Sequence, residues 1–449
     1  MTRILLIYPY FKPRFDRSSF RFPPLGLGYL ASSLRSCGYQ PMLLDCTFLK
    51  REEAYQRARE SKADVVGIYS MASMLEDSLT FARIMRNQCD LLVAGGPLPS
   101  STPDTFLDDF DLVVMGEGEE TILEIVRAYE AGLGFDSIKG LKYRKQDVAI
   151  QTGERKLQLD LDGIPFPARN LFPNGDYIDH WKRRFGHSAT TVMTTRGCPF
   201  ACEFCSNAVF GVTYRERSPK SVLDEVEEAL ALGYNRIHFV DDVFTLNRRR
   251  VIEICQEILA REMEFKWECL GRVDSIDRST SEAMKKAGCD RIFFGIESGD
   301  ESILKLMNKR ISLHQACSAV EAARAAGLKT GAFFILCYPG ETDETVLRTI
   351  RFAASLYLDY LSFTIPYPLP GTRLSERIKS KAVREWKGQS GLVSDNPLIF
   401  DSEFSGAKMR FAILKGQIQF ALQRRPGSPI SLAKSPFEKI TDILFKAMR

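Results

Sequence analysis

The chain has 449 residues, too long for one ordinary core, so two or three domains are expected. Its 45% hydrophobic and 26% charged content is ordinary for a globular protein, and a net charge of +4 among 61 basic and 57 acidic residues gives no reason to invoke nucleic acid. No apolar stretch approaches the ~20 residues that cross a bilayer, and the opening "MTRILLIYPYF" lacks the h-region and cleavage site of a secretory leader; the expected location is cytoplasmic.

The first ~130 residues alternate short apolar runs with helical segments. Strands are predicted at "RILLIYP" (3–9), "PMLLDC" (41–46), "ADVVGIYS" (63–70), "LLVAGGP" (91–97) and "LVVMGEGE" (112–119). Helices are predicted over 25–38, 51–61 and 75–88. Continuous β-branched runs, each followed by a helix, indicate a buried parallel sheet, doubly wound, with its ligand site beyond the strand carboxyl ends. The turns there carry Ser70, Met71, Gly95, Gly96, Gly116 and Gly118, which favours a bound cofactor at that edge.

Residues 135–185 read as a connector with a hairpin and the proline-spaced "LDGIPFPAR". From 186 to 384 the alternation resumes, with strands at "TTVMTTRG" (190–197), "RIHFVDD" (236–242), "KWECLGR" (266–272), "RIFFGIES" (291–298), "TGAFFILC" (330–337) and "YLSFTIPYP" (360–368). Six βα units imply a curved, partly closed parallel barrel with its chemistry at the strand carboxyl ends. Residues 385–449 lose the alternation. Two helical segments there read as a packing pair with a solvated basic face, with substrate selection or membrane-surface contact as the alternatives.

Of eleven cysteines, Cys37, Cys46, Cys89, Cys255, Cys269, Cys289, Cys317 and Cys337 are scattered, mostly in apolar runs, and read as small buried hydrophobes. Cys198, Cys202 and Cys205 are different, because they crowd one stretch, "TTRGCPFACEFCSN". A structural zinc site needs four ligands, commonly as two close pairs. A disulfide would leave one thiol over. Three thiolates on one loop after the first barrel strand suit a cubane cluster whose fourth iron stays open for substrate.

The CxxxCxxC spacing, with Phe204 just before the third cysteine, resembles the signature of the radical S-adenosylmethionine (SAM) superfamily. The resemblance implies that Cys198, Cys202 and Cys205 ligate a 4Fe–4S cluster. SAM would chelate the open iron, and its reductive cleavage would give a 5′-deoxyadenosyl radical. "HFVDDVFT" resembles the second-strand motif whose backbone holds the SAM amino group, placing Asp241 and Asp242 there. "GIESG" resembles the ribose motif, with Glu297 and Ser298. "FILCYPGET" resembles the adenine-contacting segment, with Ile335 and Tyr338. Arg272 would face the SAM carboxylate or form an ordinary ion pair.

"PPLGLGYLASSL", "ADVVGIYSMASM", "LLVAGGP" and "VVMGEGEETI" resemble the cobalamin-binding domain of class B radical SAM enzymes. The implied architecture is α/β: a doubly wound, Rossmann-like cobalamin domain (1–134), the connector, a partial (β/α)6 radical SAM barrel and a helical C-terminal region. Ser70, Met71, Gly95, Gly96, Glu117, Gly118 and Glu119 would line the cobalamin pocket. The sequence departs from the Asp-x-His pattern of many cobalamin domains: Asp45 is present, but Thr47 replaces the histidine. The four histidines are His180, His187, His238 and His314, so cobalt ligation by a histidine of residues 1–179 is not expected.

The activity this resemblance implies is cobalamin-dependent methyl transfer to an unactivated carbon or phosphorus of a small-molecule or lipid substrate. An electron donor such as flavodoxin or ferredoxin is the expected partner. Oxidative cyclisation, as in the anaerobic magnesium-protoporphyrin monomethyl ester cyclase, or another radical rearrangement is the alternative activity, and a cobalamin or redox sensor is the non-enzymatic one. Methylthiotransferases are disfavoured, since no second cysteine triad lies upstream.

Overall fold

The computed structural model describes residues 2–11, 20–378, 402–423 and 434–448. Five short apolar runs form the parallel strands β1 (Ile4–Tyr8), β2 (Met42–Asp45), β3 (Val65–Tyr69), β4 (Leu91–Gly95) and β5 (Leu112–Val114), in the spatial order β2-β1-β3-β4-β5. Successive side chains face opposite ways, so each strand feeds two cores. Ile7, Val66, Ile68 and Leu92 pack with Phe81 and Met85 on one face. Ile4, Leu6, Val65 and Val93 pack with Leu34, Ile125 and Val126 on the other.

The hairpin expected inside 135–185 consists of β6 (Leu141–Lys145) and β7 (Val148–Gln151). It adds to the first sheet, with β6 pairing antiparallel to β5. Beyond it, helix Asn174–Phe185 ends at Gly186 in the left-handed region, φ +74°.

The second sheet has six parallel strands: β8 (Ala189–Val192), β11 (Arg236–Phe239), β12 (Lys266–Gly271), β13 (Cys289–Glu297), β14 (Lys329–Ile335) and β15 (Tyr360–Thr364). They lie side by side in chain order, with β8 and β15 at the two open edges. The run expected at 190–197 is split. The chain leaves the sheet after Val192, and β9 (Thr195–Arg196) pairs antiparallel with β10 (Arg215–Glu216).

Helices 219–231, 248–260, 278–286, 313–325 and 343–355 cover the outer face of this sheet, each opened by a side-chain cap: Ser218, Asn247, Asp277, Ser312 and Thr342 respectively. Trp267, Phe239, Phe294 and Phe334 fill the space between strands and helices. The sixth helical place is taken by Gly406–Gln423, which packs on helix 343–355 and on β15. A Cβ at Gly416 would stand 2.5 Å from the Phe363 ring, so glycine allows that close approach. Helix Lys434–Ala447 packs on Gly406–Gln423 in turn.

The basic face expected there is only partly solvated. Lys408 and Lys415 are buried, and pair with Asp343 and Asp442 at 2.8 Å each. Among the scattered cysteines, Cys46, Cys255, Cys269, Cys289 and Cys337 are buried as expected and Cys89 and Cys317 partly so, whereas Cys37 is exposed at the end of the first helix. No helix among the described residues is long and apolar enough to cross a membrane.

Candidate functional site

The three clustered cysteines sit on the loop between β9 and β10. Gly197 opens that loop at φ +81°, where a Cβ would lie 2.3 Å from the Thr213 carbonyl oxygen, so only glycine fits. The Glu203 N–H donates to the Met307 carbonyl at 2.9 Å, and the Asn308 side chain donates to the Ala201 carbonyl at 2.7 Å. The loop is thereby tied to the segment that follows β13.

All three thiols are free. A hydrogen bond with Cys205, helped by the nearby cations Lys309 and Arg272, holds the Cys202 thiol below its ordinary range. The same bond, with burial, pushes Cys205 up. Burial raises Cys198 as well. No group of three or more His, Cys, Asp or Glu side chains among the described residues converges on a single metal ion. Such convergence is not what a cubane needs, because each liganded iron takes its own thiolate. Three free thiols beside buried cations therefore fit an anionic iron–sulfur cluster.

The eight residues matched to the SAM motifs divide into two groups. Phe204, Ile335 and Tyr338 share an apolar cluster with Ile303 and Met307, and the rings of Phe204 and Tyr338 meet edge-on at 6.5 Å. Glu297 stands in the left-handed region at φ +74° and accepts a hydrogen bond from Lys309 Nζ at 3.2 Å. Asp242 is exposed at the end of β11. Of these five, Ile335, Tyr338 and Glu297 are buried, and the Tyr338 hydroxyl donates to Glu203 at 2.6 Å.

Three others have committed side chains. The buried Asp241 carboxylate accepts from the N–H groups of Thr194 (2.6 Å) and Thr195 (2.8 Å), which leaves only backbone for a ligand at that position. Ser298 is buried with its hydroxyl 3.0 Å from that of Thr349. Arg272 pairs with Asp274 at 2.9 Å, donates to the Lys309 carbonyl at 3.1 Å and lies 3.5 Å over the Phe200 ring. Of the two arms of the Arg272 expectation, the structure shows the ion pair; the guanidinium also stays close enough to Cys202 to act on its thiol.

Lys309 was not anticipated. It is 9% exposed along its side chain, and its ammonium lies 5.9 Å over the Phe204 ring. In "MNKRIS" it looks like any lysine after a helix, and nothing local marks it as buried beside thiols.

The second part of the site is a cleft with about 240 Å³ of enclosed space, partly open to solvent, at the carboxyl edge of the first sheet. Gly95, Gly96, Glu117, Gly118 and Glu119 line it as expected, over a floor that includes Leu27, Tyr69 and Val114. Ser70 and Met71 do not line it. Ser70 is buried beneath the turn, its N–H donating to the Gly95 carbonyl at 2.8 Å, and Met71 is 36% exposed. A Cβ at Gly96 would fall 2.7 Å from the Ser70 carbonyl oxygen and 3.1 Å from the Tyr69 ring, so the glycine keeps this wall low. Apolar walls and a bare glycine turn fit a large macrocycle.

Asp45 does not orient an imidazole. Its carboxylate accepts from the Tyr177 hydroxyl at 2.6 Å and from Thr47 Oγ1 at 2.6 Å, so the connector helix docks on this carboxylate. His180, on that helix, rests 5.9 Å from Phe48 and is not among the cleft-lining residues.

Met193, Arg196, Val209 and Phe210, from the barrel side, form the facing wall of the same cleft. The Glu117 and Glu119 carboxylates are therefore engaged: Glu117 with Arg196 (3.1 Å) and Arg215 (2.9 Å), Glu119 with Arg196 (2.5 Å). A further buried carboxylate, Glu225, takes Arg169 and Arg217 a short distance away.

Comparison with known proteins agrees with this two-part site. The family model of the radical SAM superfamily matches residues 192–353, and that of the B12 binding domain matches 13–126. The uncharacterized methyltransferase PH0819 of Pyrococcus horikoshii is 34% identical over 95% of this chain and 93% of its own length. The anaerobic magnesium-protoporphyrin IX monomethyl ester cyclase of Cereibacter sphaeroides is 28% identical over 84% of this chain and 64% of its own length. Among solved structures, the radical SAM methyltransferase TsrM of Kitasatospora setae, with cobalamin and a [4Fe-4S] cluster bound, superposes with a TM-score of 0.73 at 19% identity, covering 91% of this chain and 81% of TsrM.

Proposed function

The chain belongs to the class B radical SAM enzymes, those with a cobalamin-binding domain, and from that membership we propose that it catalyses radical methyl transfer to an unactivated carbon or phosphorus. One observation carries the reading: the thiol-bearing loop and the glycine-lined cleft share a wall, so a cluster and a corrinoid would flank one reaction space. Cys198, Cys202 and Cys205 are the proposed cluster ligands, and the cleft around Gly95, Gly96 and Gly118 the corrin seat. When bound, these groups supply the electron that cleaves SAM and the methyl group that is transferred.

The chain's own residues do the positioning. Lys309 and Arg272 place positive charge beside the thiols, which stabilises their ionised form and an anionic ligand near them. Phe204, Ile335 and Tyr338 offer an apolar wall to a flat ring and keep water from it. Glu297, held by Lys309, presents carboxylate acceptors to hydroxyls. A small ferredoxin or flavodoxin is the proposed reductant, and the substrate is a small molecule or lipid.

The test is anaerobic reconstitution with iron, sulfide, hydroxocobalamin and SAM, with 5′-deoxyadenosine and S-adenosylhomocysteine quantified separately. Formation of both supports the reading; 5′-deoxyadenosine without any S-adenosylhomocysteine would count against methyl transfer. The 28% identity to a cyclase keeps oxidative cyclisation as the second reading. SAM labelled in its methyl group separates the two, since a cyclase leaves no label in product.

A further inference from the structure

Glu117 lies in the cleft turn between Gly116 and Gly118, yet its carboxylate does not face an open space. Arg196 and Arg215 reach it from β9 and β10, and the Gln158 N–H donates to it at 3.1 Å. The side chains of Glu117, Arg196 and Arg215 are 7%, 4% and 3% exposed, so the pairing is buried on both sides of the domain junction. The Arg196 guanidinium is also held over the rings of Tyr29 (5.2 Å) and Phe210 (5.1 Å), one from each domain.

Arg196 is two residues before Cys198. Phe210 and Val209 close the same loop on the far side of Cys205, and both line the cleft. The β9–β10 hairpin thus carries the three thiols on its loop and the cleft wall on its flank, and Glu117, which alone takes both arginines while Glu119 shares Arg196, pins it to the first domain. From this we infer that Glu117, through Arg196 and Arg215, is a positioning residue that couples the two cofactor sites: ordering the thiol loop tightens the corrin seat, and filling the seat orders the loop. The inference rests on the reading that the cleft takes a corrinoid.

Such coupling is reciprocal and shows as a ratio of affinities. The probe is hydroxocobalamin, titrated by absorbance onto the full chain before and after iron and sulfide have been supplied. The cluster-bearing wild type should bind it roughly tenfold more tightly than the cluster-free form. In Glu117→Gln the ratio should fall towards one while both forms still bind. Arg196→Lys keeps the charge but loses the two-armed fork, and should compress the ratio too; it carries the comparison where Glu117→Gln is too unstable to purify. A wild-type ratio of one would overturn the inference. So would variants whose affinity falls equally in both forms, the mark of a residue that merely supports the fold. If wild type takes up no corrinoid in either form, the proposed function itself fails and takes the inference with it; corrinoid uptake with an unchanged ratio sinks the inference alone.

Discussion

Gly96→Ala adds one methyl group to the corrin cleft and should weaken corrin binding without touching the thiol loop. The residue stands at φ +112°, ψ −171°, a region essentially reserved for glycine; holding a residue with a Cβ there costs about 1–3 kcal/mol. The new Cβ would meet the Ser70 carbonyl oxygen at 2.7 Å and the Tyr69 ring at 3.1 Å. That oxygen is not free to retreat, because it accepts from the Leu98 N–H at 3.2 Å while the Ser70 N–H is tied to Gly95. Relief must come from the turn and from Tyr69, at an overpacking cost of about 1–3 kcal/mol. Both line the cleft. If about a third to a half of the combined cost is relieved by displacing them, corrin affinity drops by about 1–2 kcal/mol, roughly five- to thirtyfold. Titration of hydroxocobalamin onto the cluster-bearing protein reads this directly, with iron content and the electron paramagnetic resonance of the reduced cluster as controls. An unchanged dissociation constant would refute the argument. Parallel loss of iron would show that the sheet, not the cleft, had failed.

Replacing Cys198, Cys202 and Cys205 together by Ala should abolish the cluster absorbance and 5′-deoxyadenosine formation, whereas Cys255→Ala and Cys317→Ala should retain both; near-stoichiometric cubane iron in the triple variant would rule out the assignment. Bound cob(II)alamin should show no threefold nitrogen splitting in its paramagnetic resonance, because Thr47 and Tyr177 occupy Asp45 and His180 is absent from the cleft lining; such splitting, lost in His180→Ala, would prove the contrary. Burial pushes the Glu341 carboxyl up to about 8, so the folded state holds its proton over a range where the unfolded chain, at 4.5, has released it. Stability should therefore fall as pH rises from 4.5 towards 8, and Glu341→Gln should flatten that dependence in thermal melts; a slope unchanged by the substitution would show that another group sets it.

The strands of both sheets were legible because continuous β-branched runs such as "VVGIY" are a local signal for a buried parallel strand. The thiol loop was legible because its three ligands lie within eight residues. What escaped were pairings across the chain. β9 looks like the tail of β8, since "TTVMTTRG" has no local mark where it leaves the sheet; the departure is set by pairing with Arg215–Glu216 and by the Asp241 carboxylate that gathers Thr194 and Thr195. Glu117 and Glu119 were expected to line a cofactor pocket because "VVMGEGEETI" resembles a cobalamin-binding segment, but Arg196 claims both carboxylates from more than seventy residues away. Lys309 was invisible for the same reason: its burial depends on Glu297 and Phe204, which no periodicity connects to it.

Helix Gly406–Gln423 fills the sixth helical place of the barrel, although the strand it covers ends at Thr364. During synthesis the consequence is one of timing. The first sheet has all seven of its strands once Gln151 has emerged and can fold as a unit while the rest of the chain is still being made. The barrel cannot follow at the same pace, because the outer face of Phe363 waits for Gly416 to arrive. At a translation rate of roughly 5–20 residues per second, that apolar surface stays uncovered for several seconds after β15 has left the ribosome. Of the six strands of the second sheet, the last thus waits longest for the helix that covers it.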